Sequence, residues 1–172
     1  MISYKEKMNH VTTFIFDVDG VLTNGDIILM NEHMARTLNS RDGYAIQYAH
    51  KKGYRILVIT GGRSIEVKNR LEELGVTEVA LSSSNKMEVY ERMKQQYNFT
   101  DEQVLYMGDD IPDYPVLKIV GVSTCPQDAA SEIKHIVDYQ SPFNGGRHCV
   151  RDVIEQTLKV QDKWFHEEAF HW

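Results

Sequence analysis

The sequence predicts an α/β fold: a doubly wound, Rossmann-like parallel sheet with helices on both faces and a β-hairpin projecting after the first strand. Three observations carry this. Short apolar, β-branched runs recur along the chain (residues 11–16, 55–59, 78–81, 104–107 and 121–124), each the length of a buried strand rather than of a helix. Stretches with apolar residues at helical spacing and capping residues at their ends separate these runs. Several runs stop abruptly in aspartate, glycine or threonine, the residue types that gather where strand ends, loops and helix N-termini converge.

Taken in order, residues 1–10 form a polar lead-in, and residues 11–16 are the first strand, ending in Asp17-Val18-Asp19-Gly20. Two apolar segments, 26–30 and 34–38, flank the polar Asn31-Glu32-His33 and predict a hairpin over residues 24–40. Its apolar side chains are expected either in an oligomer contact or packed on the parent domain. Asp42-Gly43 is expected to open a helix that Gly53 closes in the left-handed C-cap position. The strand 55–59 leads into Thr60-Gly61-Gly62-Arg63, and Ser64 caps a helix carrying Ile65, Val67, Leu71 and Leu74 before Gly75 stops it.

After the strand at 78–81, a helix is expected to start near Lys86 and to carry Met87, Val89, Tyr90 and Met93. A capping box at Thr100 to Gln103 introduces the strand 104–107, which ends in Gly108-Asp109-Asp110-Ile111-Pro112-Asp113. Pro112 suits the first turn of a helix through Val116, Leu117 and Val120. The remaining elements are a strand at 121–124, a helix over 127–134, a last strand around Ile136-Val137, a Gly-rich loop at 141–147 and an amphipathic helix with Val150, Val153, Ile154 and Leu158 on one face. An aromatic, histidine-bearing tail over 163–172 reads as a mobile terminus.

The length of 172 residues suits a single domain over 1–172, with an apolar fraction of 42% that is ordinary for a globular protein. A net charge of −6 argues against nucleic acid or an anionic membrane as main partner, while leaving room for a small phosphorylated substrate. Two cysteines, no hydrophobic leader and no run of membrane-spanning length point to the cytoplasm.

The chemistry lies in residues delivered by separate strand ends: Asp17 and Asp19, Thr60 with Gly61, Lys86 at a helix start, and Asp109 with Asp113. Aspartate pairs are common in turns, and each group alone has a bland reading: a turn residue, a turn hydroxyl, a solvated lysine. Together and in this order they combine Mg²⁺ ligands with phosphate ligands, which is the equipment of phosphoryl transfer. Asp110 reads as a cap for the turn at Pro112 as readily as a residue behind the metal ligands.

Asp17-Val18-Asp19-Gly20-Val21-Leu22-Thr23, Thr60-Gly61, Lys86 and Gly108-Asp109-Asp110-Ile111-Pro112-Asp113 resemble, in order, the four motifs of the haloacid dehalogenase superfamily of phosphohydrolases. The resemblance implies that Asp17 is a nucleophile forming an aspartyl-phosphate and that Asp19 is the acid and then the base. It further implies that Thr60, Gly61 and Lys86 bind phosphate, and that Mg²⁺ is held by Asp17, Asp109 and the backbone carbonyl of Asp19. Asp113 and Asp110 would stand behind them. The intervals between motifs leave no room for a cap domain, so the chain is similar to the capless branch, for which a homotetramer with neighbouring subunits roofing each site is implied.

Within that branch, Arg41-Asp42-Gly43, Thr60-Gly61-Gly62-Arg63 and Gly145-Gly146-Arg147 are similar to phosphatases of a sugar-acid 8-phosphate used in lipopolysaccharide synthesis. Arg63 and Arg147 are then the candidates for substrate contact, although an arginine more often serves a surface ion pair. His148-Cys149 depart from the small residues expected after that turn. A related nine-carbon sugar-acid phosphatase is the alternative, and Gly62-Arg63 stand where that group tends to carry an acidic residue. A phospho-accepting receiver and an idle scaffold of the same fold are rivals of another class.

Overall fold

The computed structural model describes residues 2–172. Met1, part of the polar lead-in, lies outside the described residues. That lead-in carries a short helix, α1 (Tyr4–Met8), with a capping box between Ser3 and Glu6. The elements that follow are β1 (Thr13–Phe16), β2 (Ile28–Leu29), β3 (Met34–Ala35), α2 (Ser40–Lys51), β4 (Arg55–Ile59), α3 (Ile65–Glu73), β5 (Glu78–Ala80) and α4 (Lys86–Tyr97). Then come β6 (Val104–Met107), α5 (Tyr114–Leu117), β7 (Val122–Cys125), α6 (Ser131–Lys134), β8 (Tyr139–Gln140) and α7 (Cys149–Val160).

Six strands form one parallel sheet in the order β5-β4-β1-β6-β7-β8. β1 is central, with Phe16 paired to Val58 of β4 on one side and to Met107 of β6 on the other. The chain winds from β1 outward through β4 and β5, then returns to the other side of β1 to build β6, β7 and β8. Strand order therefore reverses between β1 and β6, and the loops leaving those two strands diverge to open a crevice at their carboxyl ends.

Alternation along β1 sorts the core into two layers. Phe14 and Phe16 join the layer made with α2, α3 and α7, through Ile46, Leu71 and Ile154 among others. Ile15 joins Tyr90 and Met93 of α4, Val116 and Leu117 of α5 and Ile133 of α6 on the opposite face. All three β1 side chains are fully buried, each worth about 1.5–3 kcal/mol relative to exposure. Among the described residues no helix is long and apolar enough to cross a membrane.

Four expectations are corrected. The last strand lies at Tyr139–Gln140, pairing Tyr139 with Thr124, rather than at Ile136-Val137, whose side chains pack on the core instead. The helix expected over 127–134 is only α6, because residues 127–130 find partners elsewhere: the amide of Gln127 donates to Phe143 O and that of Ala130 to Asp109 O. α2 begins earlier than Asp42, with Asn39 as its cap. The 163–172 tail folds back on α2: Trp164 stands edge-on to Tyr48 at 5.3 Å, Trp172 edge-on to Tyr44 at 5.5 Å, and Lys52 pairs with Glu168.

The hairpin is present but short, with Ile28 opposite Ala35 and Leu29 opposite Met34. Of its apolar side chains Leu38 packs on the parent core, while those at the tip do not: Leu29 is 80% exposed and Met30 59%.

Candidate active site

Asp17 follows β1 directly, and its amide donates to Met107 O at 3.1 Å, which locks the ends of β1 and β6 together. Beyond it the chain makes an irregular turn, Val18–Leu22, in which Gly20 takes φ +89°. A Cβ on Gly20 would stand 2.0 Å from Asp109 Oδ2, so the turn can approach β6 this closely only without a side chain. The Gly145 loop braces the same turn from outside: a Cβ there would stand 1.9 Å from Gly20 O.

Asp17, Asp109 and Asp113 each offer a carboxylate oxygen, and these oxygens lie within 4.8 Å of one another. Lys86, the first residue of α4 and capped into place by Asn85, reaches both Asp17 Oδ2 at 2.9 Å and Asp113 Oδ1 at 2.6 Å. Asp113 is fully buried and spoken for on both oxygens. Tyr106 also donates to Oδ1 at 2.6 Å, and the amides of Asp109 and Asp110 donate to Oδ2 at 3.1 and 3.4 Å. Asp113 thus ties Lys86 to the loop bearing Asp109. Asp109 Oδ1, by contrast, is buried without any hydrogen-bond partner among the described residues.

Three carboxylates, buried at Asp17 and Asp113 and half-buried at Asp109, therefore gather beside one ammonium, and like charges this close resist ionising together. Burial and the Asp113 charge raise Asp17 to about 6 against the pull of Lys86. Burial, then Asp17 and Asp113, raise Asp109 to about 8. For Lys86 burial works downward, but Asp17 and Asp113 outweigh it and hold the ammonium above its ordinary range. An orphaned carboxylate oxygen beside a surplus of negative charge is a donor set that suits a hard divalent cation such as Mg²⁺.

Thr60 directly follows β4, is 2% exposed, and accepts the Gly62 amide at 3.0 Å. Among the described residues the neighbouring Gly61 amide donates to no protein acceptor, which leaves it open to an anion near the start of α4.

Asp19 stands apart from the carboxylate cluster. Its Oδ1 accepts Arg36 Nε at 2.6 Å and its Oδ2 accepts Arg36 Nη2 at 3.2 Å. Arg36 follows β3 and lines, with Arg63, Glu66 and His33, a cleft of about 530 Å³ between the hairpin and α3. Sequence reading missed Arg36 as a functional residue; the one signal was a lone cation in an otherwise apolar hairpin arm. It missed Tyr106 as well, which looks like any strand aromatic until its hydroxyl meets Asp113.

Among the described residues, the side chains of the other predicted residues make no hydrogen bond to this cluster. Asp110 is exposed and its carboxylate caps the Ile111 amide at 2.8 Å, while its charge adds to the upward push on Asp109. Arg147 is exposed and makes no ion pair among the described residues. His148 takes φ +83°, backbone that favours glycine, which explains why a small residue was expected nearby. Asp42 is buried and accepts the His148 and Arg151 amides at 3.3 and 2.8 Å, capping α7 rather than its own helix.

A family model described as haloacid dehalogenase-like hydrolase matches residues 75–154. The curated 3-deoxy-D-manno-octulosonate 8-phosphate phosphatase of Escherichia coli K12 is 34% identical over 158 residues, 91% of this chain and 84% of the relative. The crystal structure of the phosphatase of that name from Yersinia pestis superposes with a TM-score of 0.91 at 32% identity, covering 93% of this chain and 87% of that one. A crystal structure of the Moraxella catarrhalis phosphatase, in complex with magnesium ion, phosphate ion and a KDO molecule, matches with a TM-score of 0.91 at 27% identity, covering 97% and 95%. The sheet order, the converging strand ends and these likenesses agree: the chain belongs to the haloacid dehalogenase-like hydrolases, in the branch of the 3-deoxy-D-manno-octulosonate 8-phosphate phosphatases, and is a phosphoric monoester hydrolase.

Proposed function

We propose that this enzyme hydrolyses 3-deoxy-D-manno-octulosonate 8-phosphate to the free sugar acid and phosphate through an aspartyl-phosphate on Asp17. The observation that carries the mechanism is the buried pairing of Asp17 with Lys86 beside the unpartnered Asp109. A carboxylate of Asp17 attacks phosphorus as the bond to the sugar oxygen breaks, and Asp19 gives that oxygen its proton. Asp19 then takes a proton from water, whose oxygen displaces the Asp17 carboxylate from phosphorus. Lys86, the Thr60 hydroxyl and the Gly61 amide bind the phosphoryl oxygens, where charge is greatest during transfer.

Mg²⁺ suits the donor set, and Asp17, Asp109 and the backbone carbonyl of Asp19 would hold it. Bound there, it would neutralise phosphoryl charge as a Lewis acid. Asp113 holds Lys86 and the Asp109 loop in place without need of a ligand role.

The substrate's carboxylate calls for a cation near the phosphate site. Arg63, in the cleft beside Asp19, is the first candidate, and Arg147, two residues beyond the glycine that packs on Gly20 O, is the second. The exposed hairpin supports a homotetramer in which hairpins meet. Two buried free cysteines suit the cytoplasm.

Phosphate release in Mg²⁺ should be measured with this substrate and with a nine-carbon sugar-acid 9-phosphate, taking Asp17→Asn as the blank. Higher kcat/KM on the eight-carbon ester supports the reading. Preference for the nine-carbon ester, or no release above the blank, refutes it.

A further inference from the structure

We propose that Arg36 is the positioning residue for Asp19: it grips Oδ1 tightly so that Oδ2, the looser oxygen, faces the phosphate loop and exchanges the proton with the departing sugar oxygen. The inference rests on the acid-base reading of Asp19 given above.

Asp19 lies in the irregular turn after β1, where no regular backbone pairing fixes its side chain. Among the described residues, Arg36 is the only hydrogen-bond partner its carboxylate has. The two bonds are unequal, 2.6 Å on Oδ1 and 3.2 Å on Oδ2. A guanidinium fork can set the plane of a carboxyl group in this way, which a single ammonium cannot.

The burial is lopsided as well. The Arg36 side chain is 5% exposed while that of Asp19 is 31% exposed. Surface ion pairs have both partners in water and contribute little. Here the cation is enclosed and the carboxylate is partly open to solvent, the arrangement expected of a support and the group it supports.

The direction of Oδ2 is fixed by a third observation. A Cβ on Gly62 would lie 3.3 Å from Thr60 Oγ1, 3.5 Å from Asp19 Oδ2 and 3.6 Å from Arg36 Nη2. The acid's more loosely held oxygen, the guanidinium and the phosphate-loop hydroxyl therefore converge on one backbone position. Arg36 also joins the exposed hairpin to the catalytic centre: Leu29 and Met34 are 80% and 52% exposed, yet the residue after β3 is enclosed. The hairpin's placement thereby sets the acid's orientation.

The test compares two phosphate esters in Mg²⁺. The sugar-acid 8-phosphate leaves as an alkoxide that needs a proton, whereas p-nitrophenyl phosphate releases a phenolate that departs without one. kcat/KM reports events up to leaving-group departure. Arg36→Gln should lower kcat/KM for the sugar ester about 100-fold, the low end for general acid catalysis, and for the aryl ester by no more than about threefold. Arg36→Lys should recover part of the loss. In an Asp19→Asn background, Arg36→Gln should add nothing, since both act as one unit.

Equal losses on the two esters in both Arg36 variants would show that Arg36 merely holds the hairpin, and would overturn the proposal. So would an unchanged sugar ester, or losses that add in the double variant. A wild-type enzyme inactive on both esters would instead remove the catalytic reading on which the proposal stands.

Discussion

Lys86 Nζ lies 2.9 Å from Asp17 Oδ2, and neither side chain is more than a tenth exposed. The pair sits where a helix begins and a strand ends, so its geometry is set by the packing of α4 against the sheet. Lys86→Met keeps the aliphatic stem and removes the charge. Turnover should fall by about 10²–10³-fold, the scale for deleting one preorganised donor. Metal-free stability should fall by up to about 3 kcal/mol, because Asp113 is left buried without its ammonium. Phosphate release and urea unfolding read the two effects.

Gly20→Ala should damage the metal site more than the fold. The added methyl would stand 2.0 Å from Asp109 Oδ2, on backbone at φ +89°. Asp109 must move, since the turn is held from outside by Gly145. The Mg²⁺ concentration for half-maximal activity should rise by at least about tenfold, the cost of disturbing a ligand's support. Unfolding should move by about 1–3 kcal/mol from backbone strain. A variant with unchanged Mg²⁺ dependence would contradict the placement.

Stability should fall more steeply with rising pH without metal than with it. Asp17 and Asp109 are raised to about 6 and about 8 in the folded chain, above the ordinary carboxylate value. The folded state then holds more protons than the unfolded state between about pH 4 and 8. Stability from these groups is fully present below the unfolded value and is lost as pH rises through the folded ones. In EDTA the melting temperature should therefore fall from pH 5 to pH 8 on this account. Mg²⁺ should offset the fall, with its largest effect at the upper end, where the carboxylates are ionised and ready to bind.

Leu29→Glu tests the hairpin. At 80% exposure the side chain has nothing to lose within one subunit, so the variant's monomer stability should change by no more than about 0.5 kcal/mol. If hairpins meet in a tetramer, the charge should lower the mass measured by light scattering. A tetramer of undiminished mass would place the contact elsewhere.

The interior strands were legible because a parallel strand buried on both faces must be a short apolar run, and β1, β4 and β6 are just that. Their acidic ends were legible only jointly: an aspartate after an apolar run is an ordinary turn residue, and it was the ordered set of Asp17, Thr60, Lys86 and Asp109 that pointed to chemistry. Edge elements were not. β8 has two residues and one neighbour, so its position at Tyr139–Gln140 is set by pairing with Thr124 and Cys125 rather than by its own composition. Residues 127–130 have helix-forming character, yet their amides are drawn to Phe143 and Asp109, partners that no local pattern announces. The tail's aromatic residues hinted at packing, but only the outer face of α2 supplies Tyr44 and Tyr48 to receive them.

By itself, then, the sequence determined the sheet class, the order of the motifs and the residues able to carry phosphoryl chemistry, since each depends on side-chain type within a few positions. Tertiary structure alone decided which charges meet. Asp113 joins Lys86 and Tyr106, Asp42 caps α7, and Arg36 crosses from the hairpin to Asp19. Most of those pairings join residues far apart in the chain, and electrostatic energy depends on distances in space that spacing along the chain does not encode.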